Sequence, residues 1–137
     1  VTRSNVSLAL VLIQIDEIED LIKNAHFSFI NNAINQLTQL LKKRLRQTDI
    51  IGHIDATSLG VILTSGDKKH WSDVLQGIQE QFTHHEFKLD QKPKQLSVSM
   101  GISEVKRNFS AHQWLERSSQ ALEEAIQNGP SQINWNV

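Results

Sequence analysis

Arg46-Gln47-Thr48-Asp49-Ile50-Ile51-Gly52-His53-Ile54-Asp55-Ala56-Thr57-Ser58-Leu59-Gly60-Val61-Ile62-Leu63 reads as two short apolar strands around a polar turn. The strands are expected at Asp49 to Ile54 and Ser58 to Thr64, with Asp55-Ala56-Thr57-Ser58 as the tip. Asp55 suits a turn because Asp adopts left-handed backbone angles more readily than most residues.

Upstream, Ala25 to Arg46 predicts a long helix. Phe27, Ile30, Ile34, Leu37, Leu41 and Leu45 recur at three- and four-residue steps and share one face. Lys42, Lys43, Arg44 and Arg46 crowd its end, where the helix dipole favours cations. Glu17 to Asn24 predicts a short helix with acidic residues in its first turn. Before it, Ser7 to Ile15 is apolar at successive positions, as in a strand buried on both faces.

Downstream, Ser65-Gly66-Asp67 breaks the chain and Lys68 to His84 predicts a helix with Trp71, Val74, Leu75, Ile78 and Phe82 inward. Phe87 to Asp90 predicts a short edge strand, and Gln91 to Lys94 a turn. Gln95 to Val105 alternates, with Leu96, Val98, Met100 and Ile102 on one face and Ser97, Ser99 and Gly101 on the other. Ser110 caps a last helix, Ala111 to Asn128, which Gly129-Pro130 ends. Gln132 to Asn136 predicts a closing strand. The order β-α-α-β-β-α-β-α-β implies an α/β sandwich around a mixed five-stranded sheet.

The chain has 137 residues, which predicts a single domain spanning 1–137. Fourteen basic and fifteen acidic side chains leave a net charge of -1. That balance provides no global attraction for nucleic acid or acidic membranes. No cysteine is present, which excludes disulfides and thiolate metal sites and suits the cytoplasm. The longest apolar run, Leu8 to Ile13, falls far short of the ~20 residues a membrane helix needs. The chain opens on Val1 without an initiator Met, so a fragment of a larger protein, itself free or membrane-attached, is expected.

The hairpin, the strand end Ile13-Gln14-Ile15-Asp16, the element Ser97-Val98-Ser99-Met100-Gly101-Ile102 and the last helix with Ala121-Leu122 and Ala125 occur in the order and spacing of the GGDEF family. From Leu8 to Val137 the sequence resembles these bacterial diguanylate cyclases. The family's leading helix, with Leu-Thr-Gly-Leu and Asn-Arg signatures, is missing. The resemblance implies a palm-type, ferredoxin-like sandwich.

It also implies a loss. The family's signature turn, Gly-Gly-Asp/Glu-Glu-Phe, falls on Asp55, Ala56, Thr57, Ser58 and Leu59. Phosphoryl transfer from GTP needs a divalent ion between carboxylates and the triphosphate, and magnesium wants hard oxygen donors. The family's metal carboxylates fall on Gln14 and Thr57, and the neighbouring acid on Ser58. Asp16 is the nearest remaining carboxylate, in the place of the second Asp of an Asp-x-Asp pair. The guanine-contacting Asn and Asp fall on Ile22 and Asn31, and the phosphate-contacting Lys and Arg on Ile126 and Pro130. A catalytically inactive, degenerate GGDEF domain is therefore expected, with no catalytic residue, metal or cofactor. It would serve as a regulatory or dimerisation module beside sensor, receiver or EAL (phosphodiesterase-type) domains of the same chain.

One family feature persists. Arg46-Gln47-Thr48-Asp49 stands five residues before the turn, the spacing of the family's Arg-x-x-Asp inhibitory site for cyclic di-GMP. A guanidinium grips phosphate or a guanine edge bidentately, and Asp accepts from guanine N–H groups. The resemblance thus implies Arg46 and Asp49 as ligand-binding residues, and an effector module as an alternative function. A weakly active diguanylate cyclase using Asp16 is a further alternative. The plainer reading has Arg46 compensating the helix dipole and Asp49 bonding a turn. His84-His85 lacks the surrounding ligands of a metal site. Ser97 and Ser99 lack the His/Asp partners of a nucleophile.

Overall fold

A computed structural model of the chain describes residues 8–105 and 110–136. Strands β1 (Ala9–Ile15), β2 (Ile50–His53), β3 (Ser58–Leu63), β6 (Val98–Glu104) and β7 (Ile133–Asn136) form one sheet in the order β2-β3-β1-β6-β7. All neighbours are antiparallel except β6 and β7, which run parallel. The helices are α1 (Ile18–Lys23), α2 (Phe27–Arg44), α3 (Lys68–His84) and α4 (Ala111–Gln127). Removing β7 leaves the split βαβ pattern of ferredoxin-like sandwiches, with β1 central. The sequence order predicted these five strands and four helices. Ser7, the first residue of the expected opening strand, lies outside the described residues.

Strand β1 is apolar at successive positions because helices cover both faces. Ala9, Val11, Ile13 and Ile15 join the main core with α1, α2 and α3, while Leu10 and Leu12 meet Leu122 and Trp114 of α4. Strand β6 alternates to the same end. Val98, Met100 and Ile102 enter the main core, and Ser99, Gly101 and Ser103 lie beneath α4. A methyl group at Gly101 would strike the Leu122 backbone nitrogen and stand 2.5 Å from the Ser118 carbonyl oxygen. Only glycine permits this approach of helix to strand. The buried polar groups there are paired: Ser118 Oγ bonds Ser103 Oγ at 2.6 Å and donates to the Leu10 carbonyl at 3.1 Å.

Three expectations need correction. The edge strand Phe87 to Asp90 does not extend the main sheet. Phe87–Leu89 (β4) pairs with Lys92–Lys94 (β5) in a separate ribbon, so the stretch expected as a turn contains a strand. Asp90 and Gln91, both at positive φ (53° and 68°), make the two-residue turn, which has the handedness hairpins favour. Helix α2 is shorter than the pattern implied. Ala25 sits at φ 58°, and Leu45, extended, ends the helix before Arg46. Phe27, in the first turn, is 58% exposed, whereas Ile30, Ile34, Leu37 and Leu41 are buried. Among the described residues no helix is long and apolar enough to cross a membrane.

Candidate functional site

The β2–β3 hairpin closes on a side chain. Asp55 Oδ1 accepts from the Thr57 N–H (2.8 Å), the Thr57 hydroxyl (3.1 Å) and the Ser58 N–H (2.9 Å). Asp55 thus shapes the tip as an acceptor, and it is not among the residues at positive φ. The Thr57 N–H is the largest cause holding the Asp55 carboxyl below its ordinary range. The Thr57 hydroxyl and Ser58 groups act with it, and partial burial opposes it.

Register brings this tip beside the end of β1. Gln14 faces Ser58 on β3 and Ser99 on β6, so Ser58, Gln14 and Ser99 make one row across three strands. Ser58 Oγ donates to Gln14 Oε1 at 3.3 Å. Of the positions singled out in the sequence, Gln14 and Ser58 therefore meet across the β1–β3 ladder, while Thr57, next in the chain, turns its hydroxyl to Asp55. The donors they offer are one amide and two hydroxyls.

Asp16, two residues on, is already engaged. Its carboxylate accepts from Ser97 Oγ (2.6 Å), Ser99 Oγ (2.8 Å) and the Ser131 N–H (2.8 Å). It ties the end of β1 to β6 and to the loop after α4. Ser131 is held there at φ 58°. Sequence reading missed this clasp. The alternation that put Ser97 and Ser99 on one face was the available signal, and β1 beside them supplied the acid.

Beyond β1 opens a cleft of about 690 Å³ between α1 and the end of α4. Asp16, Glu17, Glu19, Asp20 and Glu123 line it, together with Ile126 and Pro130, and among the described residues no Lys, Arg or His does. Lys94 Nζ reaches Glu17 from β5 at 3.0 Å. Ile22 and Asn31 do not line the cleft. Among the described residues no group of three or more His, Cys, Asp or Glu side chains is placed to hold a metal ion.

Arg46 and Asp49 lie on the opposite side of the hairpin's base, and their side chains do not meet as a pair. Asp49 Oδ2 accepts from the Arg46 backbone N–H (2.9 Å), and Oδ1 from the Thr64 N–H (3.0 Å) and hydroxyl (3.2 Å). The carboxylate thereby fastens the start of β2 to the end of β3. The Arg46 guanidinium turns toward α3, where Nη1 donates to Ser65 Oγ (2.6 Å) and Nη2 lies 3.3 Å from His70 Nε2. Ser65 and His70 were not anticipated, since only the fold brings them to Arg46. His84 Nδ1 lies 2.7 Å from the Glu80 carbonyl oxygen, and the His85 ring packs edge-on to Phe87.

The family model described as "Diguanylate cyclase, GGDEF domain" matches residues 1–132. No curated protein matches the chain by sequence. Solved structures share the fold. The GGDEF domain of DgcB from Caulobacter crescentus, in complex with c-di-GMP, has a TM-score of 0.88 at 14% identity, covering 98% of this chain and 80% of that one. The active GGEEF domain of a diguanylate cyclase from Vibrio cholerae has a TM-score of 0.86 at 18% identity, covering 99% and 86%. An EAL/GGDEF domain protein from M. capsulatus has a TM-score of 0.83 at 16% identity, covering 98% and 88%. With the five-stranded mixed sheet, the hairpin at its edge and the family match over nearly the whole length, the chain belongs to the GGDEF family, the diguanylate cyclase-like domains of cyclic di-GMP signalling.

Proposed function

We propose that this GGDEF domain is catalytically silent and acts as a regulatory or dimerisation module of a larger cytoplasmic cyclic di-GMP signalling protein. The observation that carries the proposal is the donor set where β1 meets the hairpin tip. Gln14, Thr57 and Ser58 supply no carboxylate, and the three bonds to Asp16 commit its oxygens elsewhere. Magnesium needs hard, anionic oxygens, so these residues do not fit it. Among the described residues the cleft beyond has five carboxylates and no cation in its wall. A triphosphate entering without metal would meet like charge at Asp16, Glu19, Asp20 and Glu123, and of these described residues only Glu17 is paired, with Lys94. Ile126 and Pro130 stand where the family resemblance calls for phosphate-binding cations, and neither side chain can donate a hydrogen bond.

A module of this kind works through its neighbours. The M. capsulatus likeness, an EAL/GGDEF domain protein, supports an EAL domain in the same chain as one such neighbour. The test is turnover of GTP by the 137-residue chain with Mg²⁺ and with Mn²⁺. The expected result is no cyclic dinucleotide, and product formation would overturn the proposal.

A second reading, binding of cyclic di-GMP through Arg46 and Asp49, is favoured by the exposure of the Arg46 guanidinium and by the Arg-x-x-Asp spacing. Calorimetry with cyclic di-GMP tests it: heat that disappears in Arg46→Ala supports it, and silence at high micromolar ligand refutes it.

A further inference from the structure

Asn128-Gly129 is the chain's single Asn-Gly pair. Such a pair carries its own chemistry. The glycine nitrogen can attack the asparagine side-chain carbonyl carbon, because no Cβ on the glycine crowds the approach. The fold decides where in the native chain this is open.

The other described asparagines are held against it. Asn24 precedes Ala25, and its side-chain amide donates to the Asp20 carbonyl at 2.9 Å. Asn31, Asn32 and Asn35 lie inside α2, where the following N–H is committed to the helix ladder. Asn134 donates to the Ala121 carbonyl at 3.1 Å, and Asn136 accepts from Arg117 at 3.3 Å. Asn128 is exposed at the end of α4, and among the described residues none bonds its side chain.

The backbone that must move is loosely tied. The Asn128 N–H bonds the Glu124 and Ala125 carbonyls at 3.1 and 3.2 Å, but the Gly129 N–H reaches the Ile126 carbonyl only at 3.3 Å, longer than an ordinary N–H···O bond. Pro130 has no N–H to hold. The next backbone N–H that is held is that of Ser131, by Asp16 at 2.8 Å. Attack requires the Asn128 ψ to turn from its helix-like 1°. That turn breaks one long bond. Gly129, at φ 113°, has nothing within 4 Å of where a Cβ would stand, which leaves room for it.

We propose that Asn128 is a self-modification site, closing onto Gly129 to a succinimide that water opens to isoaspartate and aspartate. The bond from Gly129 N to Asn128 Cγ forms, the bond from Cγ to its amide nitrogen breaks, and ammonia leaves with the proton that Gly129 N gives up. Water then adds to either ring carbonyl and breaks that carbon's bond to the ring nitrogen. A neutral amide becomes a carboxylate at the C-terminal end of α4, where the helix dipole disfavours negative charge. It stands between Gln127 and Gly129, which both line the acidic cleft. Opening to isoaspartate also adds a carbon to the main chain just ahead of Ser131, whose N–H Asp16 holds at φ 58°. The product therefore loosens the Asp16 clasp.

The experiment incubates the folded 137-residue chain in mildly alkaline buffer, in ordinary and in heavy-oxygen water. Peptide mapping by mass spectrometry follows each asparagine, and chromatography separates isoaspartate from aspartate peptides. The Asn128 peptide should gain mass first, gain more in heavy-oxygen water, and contain more isoaspartate than aspartate. The Ser131 N–H signal in NMR should fall in step with isoaspartate. Asn128→Gln keeps an amide at the site but closes its larger ring far more slowly, so its Ser131 signal should hold steady; thermal unfolding confirms that this variant folds. The proposal is overturned if another described asparagine changes first, if aspartate forms without isoaspartate, or if the Asn128 peptide changes only in urea-unfolded chain. A Ser131 signal that stays constant while isoaspartate accumulates overturns the link to the clasp.

Discussion

Replacing Asp16 by alanine should cost stability and nothing else. The carboxylate accepts three hydrogen bonds, at 2.6, 2.8 and 2.8 Å, two from serine hydroxyls and one from the Ser131 N–H. Bonds to a charged acceptor contribute about 1.5–3 kcal/mol each before the cost of desolvating the acid is counted. Ser99 is fully buried, so its hydroxyl would lose its acceptor in a place water reaches poorly, at about 1–3 kcal/mol. Ser131 would lose the bond that holds its left-handed backbone, a conformation costing about 1 kcal/mol or more for a residue with a side chain. Asp16 is itself only partly buried, so solvent screening discounts the sum. The net expectation is about 2–4 kcal/mol in urea denaturation for Asp16→Ala. Asp16→Asn should cost about half of that, because the amide can still accept from one serine and donate to the other. Both losses should be the same with and without Mg²⁺ and GTP. A loss under about 0.5 kcal/mol would refute the clasp. So would Mg²⁺-GTP stabilising the unmodified chain but not Asp16→Ala, since that would place the acid on a metal.

Gly101→Ala should destabilise by about 3 kcal/mol or prevent folding, because the methyl group meets helix backbone that no rotamer change can move; circular dichroism on the purified variant decides it. Asp55 gives a pH dependence. Its carboxyl is held low in the folded state, so its contribution is complete above the unfolded value near 4 and is lost as pH falls through the folded value. Urea midpoints should therefore fall more steeply below about pH 4 for the unmodified chain than for Asp55→Asn, and parallel curves would contradict the Asp55 turn. Restoring acids with Gln14→Asp and Thr57→Asp together should create Mn²⁺ affinity, read by the loss of free-ion electron paramagnetic resonance signal. It should not restore turnover, because Ile126 and Pro130 still offer the phosphates no donor.

The layers of the fold were legible because each element carries its period. Strand β1 is apolar and buried from Ala9 to Ile13, β6 alternates, and α2 and α3 repeat their apolar residues at helical steps. Where the pattern misled, local backbone decided. Pro93 reads as a breaker, yet it sits in a two-stranded ribbon whose turn is made by Asp90 and Gln91 at positive φ. The meeting of Gln14 with Ser58 was readable through the order of motifs, since it follows from strand register. The clasp on Asp16 and the Ser65–His70 contacts to Arg46 join residues 19 to 115 positions apart. No periodicity encodes such pairs, so only the assembled sheet and helices disclose them. Gln79 is a further case. Placed on a helix by sequence, it lies buried and donates to the Val98 and Gln132 carbonyls at 3.0 and 3.2 Å, which sequence alone does not announce.

A catalytically silent domain requires that no metal–triphosphate complex lodge where β1 meets the hairpin tip. Electron paramagnetic resonance of Mn²⁺ titrated with the chain, in the presence of a non-hydrolysable GTP analogue, addresses it without relying on turnover. The free Mn²⁺–nucleotide signal is expected to persist unchanged with protein in excess. A bound-ion spectrum that disappears when Thr57 and Ser58 are replaced by alanine would contradict it.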